Sequence, residues 1–207
     1  MPEGDLLLIA GDTEGGNHPF DQIIWIDKYF SPWLEKVSKK IPKIIGIAGN
    51  HSWCCSPEYK SYLNFPDLSK YYYTYLEDSS TVYDNYKIYG NPWTNPFFQW
   101  AFMATEEEQK KKFKNIPLDI DIIVSHGPPY GFGDPSLDGT SVGSKALLAK
   151  LDELPNLKLV VCGHLHSGYG IYQHKNVKIV NAALLDEQYR MTKEPIVIEL
   201  PDKESPF

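Results

Sequence analysis

The sequence contains few cysteines and no long apolar run. Its three cysteines, Cys54, Cys55 and Cys162, are too few for a disulfide framework, and none has the C-x-x-C spacing of a zinc finger. No window approaches the roughly 18 apolar residues of a membrane helix, and the N-terminus lacks the basic flank of a secretory signal. We therefore expect a cytoplasmic protein without a membrane partner, in which the thiols are reduced and have a structural or incidental role.

The sequence also contains fewer basic than acidic residues. Lysine and arginine together number 20 against 27 aspartates and glutamates, which gives a net charge of −7. An extended nucleic-acid surface normally carries an excess of positive charge, so we do not expect one here. Composition is otherwise globular, with 42% apolar residues and no repeat or linker, and this predicts a single domain over residues 1–207.

The pattern of apolar runs predicts an α/β fold. Short apolar runs that end at glycine or a polar residue predict buried strands at 5–10, 43–48, 120–125 and 157–162. Helical spacing predicts a helix at about 20–39, which Pro32 must kink or split, and another at 144–154. Strand, helix and strand in succession are typical of βαβ units, and the pattern occurs twice.

Shorter elements are predicted around these units. Asp84-Asn85 lies between two strand-like runs and predicts a hairpin, while residues 106–114 predict a solvated helix with acids before bases. Three further strands are predicted near the end of the chain, at 170–174, 177–181 and 195–200.

Polar clusters directly follow four of the predicted strands. They are Gly11-Asp12, Gly49-Asn50-His51, Ser125-His126-Gly127 and Gly163-His164-Leu165-His166. Because the carboxyl ends of parallel strands meet at one edge of a sheet, these clusters can meet there. Carboxylate, amide oxygen and imidazole are ligands of a divalent metal such as Mn, Fe or Zn. If the last cluster is extended, His164 and His166 point the same way into one cavity.

Taken in order, the four clusters resemble the motifs of the calcineurin-like metallophosphoesterases. Longer stretches resemble the metallophosphoesterase-domain-containing branch in particular; they are 5–12, 47–51, 89–94 with 100–102, 125–132 and 162–170. The resemblance implies an α/β/β/α sandwich, in which two facing sheets are covered by helices on both outer sides and the metal site lies at the rim.

The resemblance also implies a role for each site residue. One metal ion would be held by Asp12, Asn50, His126 and His164. Asp12 would bridge to a second ion that His166 also binds, and His51 would be catalytic, stabilising the transition state or protonating the leaving oxygen. The expected reaction is hydrolysis of a small phosphodiester or nucleotide-like substrate by metal-activated water. Aromatic residues available to stack on a base are Trp53, Trp93, Phe97, Tyr130 and Phe132.

One family motif has no counterpart in this sequence. The family opens with a strand carrying Asp-x-His, which binds the same ion as His166, and no Asp-x-His occurs here. We therefore expect the first strand to be missing, one metal site to be tight and the second to be weakened. Two interpretations stay open: Met1 is an internal methionine of a longer protein, or the short chain has a single-metal or degenerate site.

The missing motif has two further consequences. In the degenerate case the protein would be a catalytically impaired binding or interaction module on the same fold. The strand at 5–10 would also have a free edge, which the strand at 195–200 or a second copy in a homodimer would cover.

Overall fold

The computed structural model describes residues 2–203; Met1, on which one interpretation of the chain's start depends, lies outside this part. Two sheets form the centre of the fold. The first is parallel, in the order β1 (Leu6–Ile9), β2 (Lys43–Gly46) and β3 (Tyr73–Tyr75). The second has the order β4 (Ser79–Tyr83), β5 (Tyr86–Asn91), β6 (Ile122–Ser125), β7 (Leu159–Cys162), β9 (Val177–Asn181) and β8 (Gly170–His174). Strands β5, β6, β7 and β9 are parallel, and β4 and β8 are antiparallel to their neighbours.

The helices lie between the parallel strands, as predicted. They are α1 (Pro19–Trp25), α2 (Ser31–Val37), α3 (Glu106–Phe113) and α4 (Lys145–Leu151). A π-helical segment, Ile26–Phe30, separates α1 from α2. Pro32 has no N–H for the regular helical bond, and the wider turn directly before α2 adjusts the backbone to this loss. Within residues 2–203, no helix has the length and apolar character needed to cross a bilayer.

Three apolar clusters define four layers. The inner cluster lies between the sheets and joins Ile45 of β2 to Ile122 and Val124 of β6. The neighbouring side chain of β6, Ile123, points to the opposite face, where it packs with α3 and α4. On the other side of the molecule, Leu34 of α2 packs against the outer face of the first sheet. The predicted α/β/β/α sandwich is therefore confirmed.

The predicted hairpin forms, whereas the strand predicted at 195–200 does not. Asp84 and Asn85 form the predicted turn, with φ of 48° and 61°, and join β4 to β5. The predicted strand at 195–200 is wrong, because no strand forms there. Ile196 and Ile198 still pack against the inner cluster, so the alternation reflects one buried face without backbone pairing. Among the described residues, β1 therefore remains at the edge of its sheet.

Candidate metal centre

The predicted ligands meet where four parallel strands end. Asp12 follows β1, Asn50 follows β2, His126 directly follows β6, and His164 follows β7. Ligand atoms of Asp12, His126 and His164 all lie within 4.8 Å of one another. The side-chain oxygen of Asn50 lies between the two imidazoles, 2.8 Å from Nε2 of His126 and 2.8 Å from Nδ1 of His164. The fold thus brings together four side chains from the ends of four strands.

The arrangement around His126 has the electronic character of a cation site. Its Nδ1 lies 2.8 Å from the carbonyl oxygen of Ala10, which places the ring proton on Nδ1 in the neutral form. Its Nε2 then directs a lone pair towards Asp12 Oδ2 at 3.2 Å and Asn50 Oδ1 at 2.8 Å. Three electron-pair donors facing one another repel unless a positive charge lies among them. The residues present therefore fit a divalent cation.

For Asp12 and His164, electrostatics at the centre favour the unprotonated states that metal ligands need. Burial acts to raise the pKa of Asp12, but the neighbouring His126 and the hydrogen bond from His51 together outweigh it and lower this pKa to about 2. Burial lowers the pKa of His164 to about 3, helped by repulsion from His126. Burial would also lower the pKa of His126, but Asp12 and the Ala10 carbonyl raise it above its usual value. A proton on His126 thus supplies the positive charge that a bound cation would otherwise provide.

Two of these ligand residues have strained backbones. Asp12 has φ of 53° and His164 has φ of 64°, in the left-handed region that residues other than glycine rarely adopt. Such conformations cost of order 1–3 kcal/mol each and cluster at functional sites. The left-handed His164 also overturns the argument that His164 and His166 point the same way because their segment is extended.

His166 is not one of the clustered ligands. It begins a 3₁₀ turn, His166–Gly168, and its Nδ1 lies 2.9 Å from the carbonyl oxygen of Asp186. Tyr189 contacts its ring edge-on, with 5.3 Å between ring centroids. The group formed by Asp12, His126 and His164 does not include His166. Its role as a ligand of a second ion stays a prediction.

His51 is held beside the centre by both of its backbone polar groups. Its N–H donates to Asp12 Oδ1 at 2.8 Å, and its carbonyl accepts from Gln22 Nε2 at 2.6 Å. The half-buried ring lies 4.3 Å from the Trp100 ring and 6.3 Å from the Tyr189 ring, measured between centroids. Sequence reasoning missed both aromatic neighbours. Trp100 lies within one of the quoted motifs, whereas Tyr189 belongs to a loop without any sequence signal.

Most of the aromatic residues predicted to stack on a base have other contacts. Nε1 of Trp93 donates to Asp78 at 2.8 Å, and the ring lies under Nζ of Lys112 at 3.5 Å. Phe132 packs against the outer core of the second sheet. Trp53 lies next to the centre through its contact with Trp100, 6.5 Å between centroids. Phe97 and Tyr130 are exposed, and Phe97 contacts Phe98.

The close approach of the loops requires glycine at position 49. A Cβ atom built on Gly49 would lie 2.3 Å from Asp12 Oδ1 and 2.5 Å from Cε1 of His126. At Gly163, which precedes His164, the nearest atom to such a Cβ is the Ala10 carbonyl oxygen at 3.7 Å. The ligand cluster is therefore tightly packed around Gly49 and open beside Gly163.

Comparison with known proteins agrees with this geometry. The family model described as calcineurin-like phosphoesterase matches residues 2–168. Metallophosphoesterase domain-containing protein 1 from Homo sapiens is 32% identical over 97% of this chain, and the chain spans 66% of that protein's length. A 3',5'-cyclic-nucleotide phosphodiesterase from Nostoc sp. is 24% identical over 97% of this chain and 70% of its own length. A solved structure from Thermus thermophilus superposes with a TM-score of 0.51 at 13% identity, covering 86% of this chain and 76% of that one, and supports the fold alone. The chain belongs to the calcineurin-like phosphoesterase family.

Proposed function

We propose that this protein is a metal-dependent phosphodiesterase that hydrolyses a small, nucleotide-like substrate and uses Mn, Fe or Zn. The observation that carries the proposal is the convergence of electron-pair donors around Nε2 of His126, with oxygens of Asn50 and Asp12 at 2.8 and 3.2 Å. The similarity to a cyclic-nucleotide phosphodiesterase from Nostoc sp. supports the choice of a diester over a monoester.

Four side chains would hold the cation: Asp12, Asn50, His126 and His164. When bound, a divalent cation supplies Lewis-acid polarisation of a phosphoryl oxygen. His126 is fixed by its bond to the Ala10 carbonyl, so its Nε2 stays aimed at the centre. Burial keeps His164 neutral, because its pKa lies at about 3, and a neutral imidazole has a lone pair to donate.

His51 is the residue we assign to proton transfer. Its backbone N–H donates to Asp12, which fixes the loop beside the ligands while the ring remains half-exposed to an incoming substrate. An imidazole in this position can donate a proton to the leaving oxygen as the ester bond breaks.

Trp100 and Tyr189 give the site a preference for substrates with a flat group. Both rings lie beside His51, and Tyr189 is 65% exposed, so its ring is accessible to a ligand. Stacking of a base on an aromatic side chain is worth about 1–3 kcal/mol. A nucleobase or aryl group attached to the phosphodiester would therefore bind beside the proposed proton donor.

The proposal is tested by hydrolysis of an activated aryl phosphodiester by chelator-treated protein, with and without added Mn²⁺. We expect weak activity that needs the metal and falls by about 10²–10³ in His51→Ala. His18→Ala is the matched control, since it removes an exposed histidine outside the centre and should leave the rate unchanged. Activity that is equal in all three proteins would show a contaminant, and no activity with Mn, Fe or Zn would favour the binding module.

A further inference from the structure

A second group of metal-binding side chains lies beside the loop that carries His51. Cys54 and Cys55 belong to a 3₁₀ turn, Trp53–Cys55, and both are buried. Glu14, from the loop after β1, lies beside them. Ligand atoms of these three residues all lie within 4.8 Å of one another. The sequence suggested a structural or incidental role for these cysteines, because the contribution of Glu14 depends on the fold.

Two of the separations between the ligand atoms match the edges of a tetrahedral thiolate site. The two Sγ atoms are 3.8 Å apart, and Cys55 Sγ lies 3.8 Å from Glu14 Oε1. Metal–sulfur bonds of about 2.3 Å and metal–oxygen bonds of about 2.1 Å at tetrahedral angles give edges of about 3.8 Å between sulfurs and about 3.6 Å between sulfur and oxygen. The third separation, from Cys54 Sγ to Glu14, is within 4.8 Å, so a metal ion could replace the two thiol protons if these two ligands approach each other by about 1 Å or less.

Neighbouring polar groups hold both parts of this cluster in place. The Ser52 hydroxyl donates to Glu14 Oε2 at 2.6 Å, so the other carboxylate oxygen faces the sulfurs. The backbone N–H of Cys54 donates to Gln22 Oε1 at 2.9 Å and fixes the turn. Orientation of ligands by such outer partners is a common property of metal sites in proteins.

The cluster is open on one side to a cavity. Glu14 and Cys55 line a cavity of about 470 Å³, together with Phe30, Tyr73 and other residues. This cavity gives an ion a route to Glu14 and Cys55. Three protein ligands with one open position leave room for a water molecule or a small ligand on the metal.

We propose that Glu14, Cys54 and Cys55 form a thiolate site for a zinc-class divalent cation, separate from the histidine-rich centre. On binding, each thiol loses its proton to solvent and forms a sulfur–metal bond, and the Glu14 carboxylate provides the third bond. No electron transfer is involved, and the site does not depend on the proposed phosphodiesterase activity.

Titration with Cd²⁺ alone tests the proposal, because thiolate-to-cadmium charge transfer absorbs in the ultraviolet and imidazole or carboxylate ligation does not. We expect this absorption to reach a plateau and to be removed by Zn²⁺; Cd²⁺ bound at the histidine-rich centre does not contribute to it. Cys162→Ala is the matched control, since this third cysteine is buried and bonds to the Val180 carbonyl; its titration should equal that of the unmodified protein. The double variant Cys54→Ser/Cys55→Ser should lose the absorption.

Glu14→Gln provides a second test that keeps both thiols. It should retain the absorption but bind Cd²⁺ about tenfold more weakly or worse. This variant decides the question if circular dichroism shows that the double variant does not fold. Absorption that persists in a folded double variant, unchanged affinity in Glu14→Gln, or no absorption in a protein whose three thiols are free would overturn the proposal.

Discussion

Replacement of Gly49 by alanine should damage the metal centre through a single added methyl group. The new Cβ would lie 2.3 Å from Asp12 Oδ1 and 2.5 Å from His126 Cε1, whereas ordinary contacts begin at 3.4 Å. Both ligands would therefore have to retreat by about 1 Å, a displacement that can cost about 10² in rate at a catalytic site.

The expected magnitude follows from what each ligand would lose. Moving Asp12 breaks its bond from the His51 N–H at 2.8 Å, and moving His126 disturbs its bond to the Ala10 carbonyl at 2.8 Å. Loss of such orienting partners weakens metal binding by about 10- to 100-fold, which is about 1.4 to 2.8 kcal/mol of binding free energy. Overpacking of a tight site should also lower the free energy of unfolding by about 1–3 kcal/mol.

Calorimetric titration of chelator-treated protein with Mn²⁺ measures the first effect, and urea unfolding measures the second. Gly163→Ala is the matched control, because the same substitution at the end of β7 meets its nearest atom at 3.7 Å. Its Mn²⁺ affinity should stay within about twofold of that of the unmodified protein, because a contact at that distance displaces no ligand. If Gly49→Ala binds Mn²⁺ as tightly as the unmodified protein, or if both variants lose affinity equally, the argument from close approach is wrong.

Three further predictions concern metal content, pH and association. Metal analysis of the desalted Cys54→Ser/Cys55→Ser variant should give one tightly held ion per chain, because the clustered ligands of the histidine-rich centre do not include His166; two tight ions in that variant would contradict this. Urea unfolding of metal-free protein should show lower stability as pH falls from about 6.5 to about 3, because unfolded His164 takes up a proton near its usual pKa of 6.5 and folded His164 only near about 3. His164→Asn should flatten this slope, and an unchanged slope would assign it to other groups. Light scattering over a concentration series should detect a dimer that pairs through β1, which lies at a sheet edge among the described residues; a monomer at every concentration would refute it.

The sequence predicted the parts of the fold that depend on periodicity. The strands were recognisable because they are buried on both faces, as Ile122 and Ile123 show by packing on opposite sides of β6. The alternation at 195–200 misled the prediction, since one apolar stripe can pack against a core without backbone pairing. Periodicity reports burial, and only hydrogen-bonding partners decide whether a buried segment becomes a strand.

For the candidate centre, the sequence predicted which residue types act as ligands and which strand each of them follows. The positions of Asp12 and His126 followed from the rule that parallel strands end at one edge. The orientation of His166 could not be predicted from this rule, because it depends on the left-handed φ of 64° at His164. The contact of Tyr189 with His51 could not be predicted either, because the two residues are far apart in sequence and no local pattern marks Tyr189.

The single amide oxygen of Asn50, set between His126 and His164, has a consequence for folding kinetics. These contacts join segments 76 and 114 positions apart in the chain, so they form only after long loops have closed. The centre should therefore be one of the last parts of the molecule to assemble during refolding. Recovery of metal affinity would then lag behind recovery of secondary structure. An ion added early in refolding would have no formed site to bind, so it would not accelerate folding.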